Sequence, residues 1–331
     1  MTRRFPGKGL ETLSEKCELL INKKSEPPGR REILRYVAGC DGIICMLSDR
    51  IDATVMDSAG PQLKVISSYS TGYEHIDVKE ASARGIYVTF TSDILAEATA
   101  DLTFALILAC ARNLVEGDRI VRKGRWSVGW SPDLLLGAPV HGATLGILGL
   151  GRIGSAVARR AKGFNMNVLY YNRHRDHEKE QQLGAKYADS DDLLSESDFV
   201  SVHVSFNTVS KQIINMIALQ KMKRTAFLIN TSRGQVVSER DLASALKRKL
   251  IAGAGLDVFE KEPLPKTSPL AKMQNVVLLP HIGSATTETR SRMGEVAVGN
   301  LLDVLDGREP NRAYLVNPEI FARSRNQSSQ K

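Results

Sequence analysis

The sequence predicts an α/β protein of two doubly wound parallel-sheet domains. Three observations carry this expectation. Short apolar, β-prone runs alternate with helix-like stretches from about residue 30 to about residue 280, the pattern of a parallel sheet covered by helices on both faces. Three glycines, in Gly149-Leu-Gly-Arg-Ile-Gly154, join the apolar run Ala143–Leu148 to the helix-like run Ser155–Ala161. About 140 residues precede that turn, which usually lies near the start of its domain, so another domain must be built first.

Asp41–Leu47, Leu63–Ser67 and Gly85–Thr89 read as short buried strands, with helices at Arg31–Val37 and Val78–Arg84. These strands end in small polar residues, Ser48 and then Ser68 to Gly72; ligands of open parallel sheets gather at such carboxyl ends. A long helix is expected over Ala96–Leu114, then a loop holding Trp126, Trp130 and Pro132. Strands of the second domain are expected near Leu145, Val168, Phe199, Phe227, Ala254 and Val276. A last helix covers about Thr286–Asp306, and Leu315–Pro318 closes back onto the first domain. The first domain is then discontinuous, 1–98 with 287–331, around a second at 99–286. The polar end, Ser324–Lys331, is expected to fray.

Composition narrows the classes. With 331 residues, 42% apolar and 25% charged, the chain is long enough for two cores and is not a disordered sequence. No apolar run reaches the ~20 residues of a membrane helix. The strongest, Leu102–Ala111, reads as a buried helix, and Met1–Pro6 has no signal-peptide core. Cys40 and Cys45 have no second pair or nearby histidines to complete a zinc site, so no metal is expected. Four cysteines in all fit a reducing compartment, the cytoplasm by default. The net charge of +8 is dispersed, with local groups at Lys221–Arg224 and Lys247–Lys249 that read as solvated helix ends. No nucleic-acid or membrane partner is expected.

The glycine spacing lets a backbone turn sharply, approach a pyrophosphate and pack its helix against the sheet. The helix N-terminus offers amide N–H groups to the phosphates. The next strand, Met166–Tyr171, ends in Asn172-Arg-His-Arg175, where NAD-preferring domains carry an acid for the ribose hydroxyls. A carboxylate would repel a 2′-phosphate and an arginine would pair with it. The residues therefore predict NADP(H) preferred, with NAD(H) also accepted.

Three further strands end in reactive groups. Ala226–Gly234 ends with Arg233, Gly253–Pro263 with Glu262, and Asn275–Gly283 with His281. Reduction of a 2-keto acid needs such a set. A guanidinium holds the carboxylate through paired hydrogen bonds and polarises the ketone. A protonated histidine gives its proton to the ketone oxygen. A carboxylate keeps that imidazolium charged and oriented. The hydride belongs to the nicotinamide.

The sequence resembles the D-isomer-specific 2-hydroxyacid dehydrogenases, most closely their archaeal-type glyoxylate- and hydroxypyruvate-reducing branch. The likeness runs from about Thr2 to Pro318 through Met46–Asp52, Arg84–Thr89, Gly149–Gly154, Ala252–Phe259 and Leu279–Thr286. It implies a Rossmann-type nucleotide domain and a flavodoxin-like substrate domain. It implies Arg233 as substrate binder and activator, Glu262 as support and His281 as proton donor. It places Leu150, Gly151, Arg152 and Ile153 on the pyrophosphate, and Asn172, Arg173 and His174 on the adenosine ribose and its phosphate. Thr231, Ser232 and Arg233, with His281, Ile282 and Gly283, would line the nicotinamide side, and Asp257 would hold the carboxamide. Leu47, Ser48, Ser70, Thr71 and Gly72 would approach a small 2-keto or 2-hydroxy acid substrate. The middle helix and tryptophan loop build a homodimer in that family, so Trp130 would reach a neighbouring active site. Two stretches depart from relatives: Val204–Asn207 replaces Val-Pro-Leu-Thr, and Ser70-Thr71 replaces more apolar neighbours. Sister enzymes acting on phosphoglycerate, D-lactate or a phosphonate are alternatives, as is a cofactor-sensing corepressor on the same fold.

Overall fold

A computed structural model describes residues 1–22, 24 and 26–320; the stretch expected to fray, 324–331, lies outside them. In chain order the elements are α1 (Gly9–Lys16), α2 (Arg30–Val37), β1 (Gly42–Cys45), α3 (Ala53–Ala59), β2 (Val65–Ser68), α4 (Val78–Ala83) and β3 (Tyr87–Thr89). Then come α5 (Ala96–Ala111), α6 (Leu114–Arg122), β4 (Thr144–Leu148), α7 (Arg152–Gly163), β5 (Asn167–Tyr171), α8 (His177–Leu183) and β6 (Lys186–Tyr187). The chain continues through α9 (Ser190–Glu196), β7 (Phe199–Val202), α10 (Met216–Lys221), β8 (Phe227–Asn230), α11 (Glu239–Lys247), β9 (Gly253–Leu256), β10 (Val276–Leu278) and α12 (Thr287–Leu305). Two compact units result. One is Met1–Leu95 together with the segment from Ser284 onward, and the other is Ala96–Gly283. The crossings fall three residues before the expected points, because α5 begins at Ala96.

The first unit holds a parallel sheet in the order β1-β2-β3. Its residues alternate between two cores, as strand geometry requires. Ile43 and Cys45 of β1 join Ile33, Val55 and Met56 from the helices of one face. Ile44 and Met46 join Leu13, Val298 and Leu301 of α1 and α12 on the other. The returning chain is fixed by Asn317, whose side chain accepts from Val88 N–H (2.9 Å) and donates to the Ile86 carbonyl (3.0 Å). Helices α1 and α3 were not anticipated. The signal for α3 is Asp52, which caps it by accepting Val55 N–H.

The second unit is a seven-stranded parallel sheet in the order β10-β9-β8-β7-β4-β5-β6. The order reverses at β4, so a crevice opens at the carboxyl ends there. Helix α5 packs beneath β8 and β9, with Cys110 buried in that core. The single helix expected over Ala96–Leu114 is broken. Asn113 takes a left-handed φ of +52° and donates to the carbonyls of Leu135 (3.3 Å) and Leu136 (3.2 Å), and α6 leaves at a 65° bend. Among the described residues no single helix is long and apolar enough to cross a membrane. The two-residue β6 was also missed, being too short for an alternating pattern to register.

Candidate active site

The glycine turn sits at the carboxyl end of β4, where the sheet order reverses. Gly149 has φ +101°, and a Cβ there would come within 2.9 Å of the His203 carbonyl. A Cβ on Gly154 would fall on the Gly149 carbonyl oxygen. A Cβ on Gly151 would meet nothing within 4 Å. The outer two glycines therefore build the turn and seat the helix. The middle one leaves space in front of α7, whose N-terminus carries no side-chain cap. That combination of open space and first-turn amides fits a pyrophosphate. The side chain of Leu150 is buried in the core and Ile153 packs against it, so these two residues offer backbone rather than side chain. Gly151 and Arg152 are exposed.

The end of β5 is tied to this turn. Asn172 Oδ1 accepts Leu150 N–H at 2.8 Å. Arg173 and His174 follow, both exposed. Arg175, the second arginine after β5, is bound to Glu180 through Nε (2.7 Å) and Nη2 (2.9 Å).

Strands β8, β9 and β10 are neighbours and parallel, so their carboxyl ends share one edge. Arg233 lies three residues past β8, Glu262 six past β9 and His281 three past β10. The turn after β8 is organised by Asn230, which accepts from Ser232 N–H (3.0 Å) and Oγ (2.8 Å) and donates to the Arg233 carbonyl (2.9 Å). Thr231 Oγ1 pairs with Thr103 Oγ1 at 2.9 Å. The Ser232 hydroxyl is thus engaged inside the turn and that of Thr231 on α5. Gly234 then presses against the β9 loop, where a Cβ would overlap the Phe259 carbonyl. This approach brings the Arg233 turn against the segment carrying Glu262.

His281 Nδ1 and Glu262 Oε2 are 2.7 Å apart, with the two side chains 34% and 37% exposed. Burial pushes the Glu262 carboxyl up, but His281, Phe259 N–H and the charge of Arg233 outweigh it and leave it below the ordinary value. The charge of Arg233 also acts on Glu262, so an arginine, an ionised acid and an imidazole are electrostatically linked. With Nδ1 donating to the carboxylate, Nε2 is the nitrogen left for proton exchange.

The loop bearing His281 is held by Asp257, which is 1% exposed. Its carbonyl accepts His281 N–H (2.9 Å), Oδ1 accepts Ile282 N–H (2.8 Å) and Oδ2 accepts Gly283 N–H (2.8 Å). Burial pushes its carboxyl up, against those two side-chain bonds and His281. The resemblance placed Asp257 on the carboxamide; here each carboxylate oxygen already holds an amide of the histidine loop. Sequence reasoning passed over Asn230, although a polar residue closing an apolar strand before Thr-Ser-Arg-Gly is a visible signal.

The expected substrate loops lie in the first unit. Leu47 and Ser48 are exposed past β1, and Ser48 Oγ accepts from Arg3 Nη2 at 2.9 Å. Ser70 is buried, with its hydroxyl spent on Ser68 Oγ (2.8 Å) and the Gly72 carbonyl. Thr71 is half-buried and Gly72 buried. Trp130 belongs to the second unit and is 85% exposed on its loop.

A reversed-order sheet, a glycine turn at its switch point and an arginine–acid–histidine set on the same edge define a dinucleotide-dependent oxidoreductase. Residues 104–283 match the family model for the D-isomer specific 2-hydroxyacid dehydrogenase NAD binding domain. The chain is 50% identical over 320 residues to a glyoxylate reductase of Korarchaeum cryptofilum, covering 97% of this chain and 96% of that one. It is similar to a crystal structure from Thermus thermophilus at TM-score 0.90 and 47% identity, covering 95% and 98% of the two chains. An NADPH-dependent glyoxylate/hydroxypyruvate reductase of Sinorhizobium meliloti, solved with citrate, matches at TM-score 0.80 and 33% identity, covering 94% and 96%. The chain belongs to the D-isomer-specific 2-hydroxyacid dehydrogenase family and is an NAD(P)-dependent oxidoreductase acting on CH–OH groups.

Proposed function

We propose that this protein reduces glyoxylate to glycolate, and hydroxypyruvate to D-glycerate, with NADPH preferred over NADH. The observation that carries the reading is the 2.7 Å pair of His281 and Glu262 beside Arg233. A bound reduced nicotinamide would supply the hydride to the carbonyl carbon. Arg233 holds the substrate carboxylate through two parallel hydrogen bonds and draws charge toward the carbonyl oxygen. His281 gives its Nε2 proton to that oxygen, so the C=O becomes CH–OH and the imidazole is left neutral. Glu262 keeps the imidazolium oriented through Nδ1. The relatives named for glyoxylate reduction support the substrate class.

The backbone of Leu150–Ile153 would hold the pyrophosphate and Asn172 the ribose edge. Arg173 would meet the 2′-phosphate as an exposed cation of that loop. We also propose a homodimer built on residues 114–136. Leu114, Val115, Val121, Trp126, Val128, Trp130, Leu134 and Leu136 are all exposed there, a concentration of apolar surface that a lone subunit rarely leaves open to water. The test of the activity is steady-state turnover of glyoxylate, hydroxypyruvate and pyruvate with each nicotinamide. The reading expects the highest kcat/KM for glyoxylate with NADPH. Preference for pyruvate, or binding of NADPH with no turnover of any of the three, contradicts it.

A further inference from the structure

Arg175 has the fork that a phosphate would take, and another residue already fills it. Its two parallel hydrogen bonds go to the two oxygens of Glu180, and its guanidinium lies over the Tyr187 ring, 5.6 Å from the centroid. The Glu180 side chain is only 14% exposed, and Oε1 also accepts the Tyr170 hydroxyl at 2.7 Å. That hydroxyl in turn accepts Asp176 N–H at 2.9 Å, and His177 Nδ1 stands 3.9 Å from Oε2. Two residues earlier, Arg173 is exposed and has no ion-pair partner among the described residues. A bidentate carboxylate and a bidentate phosphate compete for the same guanidinium edge.

We propose that Glu180 sets the strength of the preference for NADPH by withholding Arg175 from the 2′-phosphate, leaving Arg173 to meet it alone. The inference rests on the NADPH reading above. Arg175 and Tyr170 hold the Glu180 carboxyl down to about 2, so the clamp stays closed throughout the neutral range. Glu180→Gln keeps an acceptor oxygen for Tyr170 but removes the charge that retains the guanidinium.

The test is calorimetric titration of the full chain with NADPH, NADH and adenosine 2′,5′-bisphosphate, which isolates the phosphate-bearing half. Glu180→Gln is expected to tighten NADPH and the bisphosphate about tenfold, the worth of one charge-assisted hydrogen bond, with NADH little changed. The double variant Arg175→Ala/Glu180→Gln is expected to return both to the wild-type affinities. Unchanged or weaker NADPH binding in Glu180→Gln overturns the proposal, as does tightening that survives in the double variant. Should Glu180→Gln fail to fold, Arg175→Ala alone decides, because an NADPH loss as large as that of Arg173→Ala overturns the proposal and a smaller one upholds it. The underlying reading fails separately, if Arg173→Ala weakens NADPH and NADH alike.

Discussion

His281 has φ +56°, in the left-handed region, which a histidine adopts only where its surroundings hold it. The holding groups are the three acceptor atoms of Asp257 and the Glu262 carboxylate. Glu262→Gln removes the charged acceptor that orients the ring through Nδ1, and its expected effect is a fall in kcat for glyoxylate with NADPH affinity retained. An unchanged kcat removes Glu262 from support of the proton donor. Because the folded carboxyl titrates below its ordinary value, the stability it contributes is present above that value. It is lost as pH falls through the lower one. His203 works in the same direction. Its Nδ1 is buried without a partner among the described residues, Nε2 faces Ser201 Oγ at 2.7 Å, and burial pushes the imidazole down to about 3. The unfolded chain therefore binds the extra proton between about 6.5 and about 3, and stability falls as pH drops through that window. The full slope is about 1.4 kcal/mol per pH unit. His203→Gln should flatten the loss of Tm between pH 7 and pH 5, and an equal loss in both proteins rejects the assignment. At this scale the sequence marked Arg233, Glu262 and His281 as candidates, because each follows an apolar strand. It did not show that Glu180 takes Arg175, since that contact depends on how α8 turns back on the β5 loop.

Glycines decide the elements that carry the site. Gly149 and Gly154 tolerate no Cβ, whereas Gly151 borders open space. Gly151→Ala should therefore fold with a Tm near wild type and yet weaken both nicotinamides, because its methyl enters the space assigned to the pyrophosphate. Unimpaired binding of both cofactors would place the pyrophosphate elsewhere. Gly234→Ala is the structural counterpart. Its Cβ overlaps the Phe259 carbonyl, and overpacking of this kind costs about 1–3 kcal/mol or more. Thermal melting is expected to show a loss of several degrees, and an unchanged Tm contradicts the packing described here. The strand–glycine–helix unit was readable because apolar periodicity and punctuation by glycine agree. The break after α5 was not: Ala96–Leu114 is evenly helix-prone, and only the left-handed Asn113, tied to the Leu135 and Leu136 carbonyls, ends it.

For the whole molecule, the alternation of strands and helices was enough to foresee two parallel sheets and a chain that returns to its first unit. The sequence could not show how many apolar side chains of residues 114–136 stay exposed, because the same residues would read equally well as core. Their exposure leads to the expectation of a dimer. Light scattering should give twice the 36.4 kDa chain mass, and Val128→Asp with Leu136→Asp should yield a monomer. A wild-type monomer would rule out that interface. The proposed chemistry needs an imidazole from one strand end and a carboxylate from the next to serve a single proton transfer. The most direct measurement is kcat for glyoxylate with saturating NADPH in His281→Ala, with NADPH affinity determined alongside. A fall in kcat of about 10²–10⁴-fold is expected, the worth of a general acid, with affinity for NADPH nearly unchanged. Turnover close to wild type would contradict it.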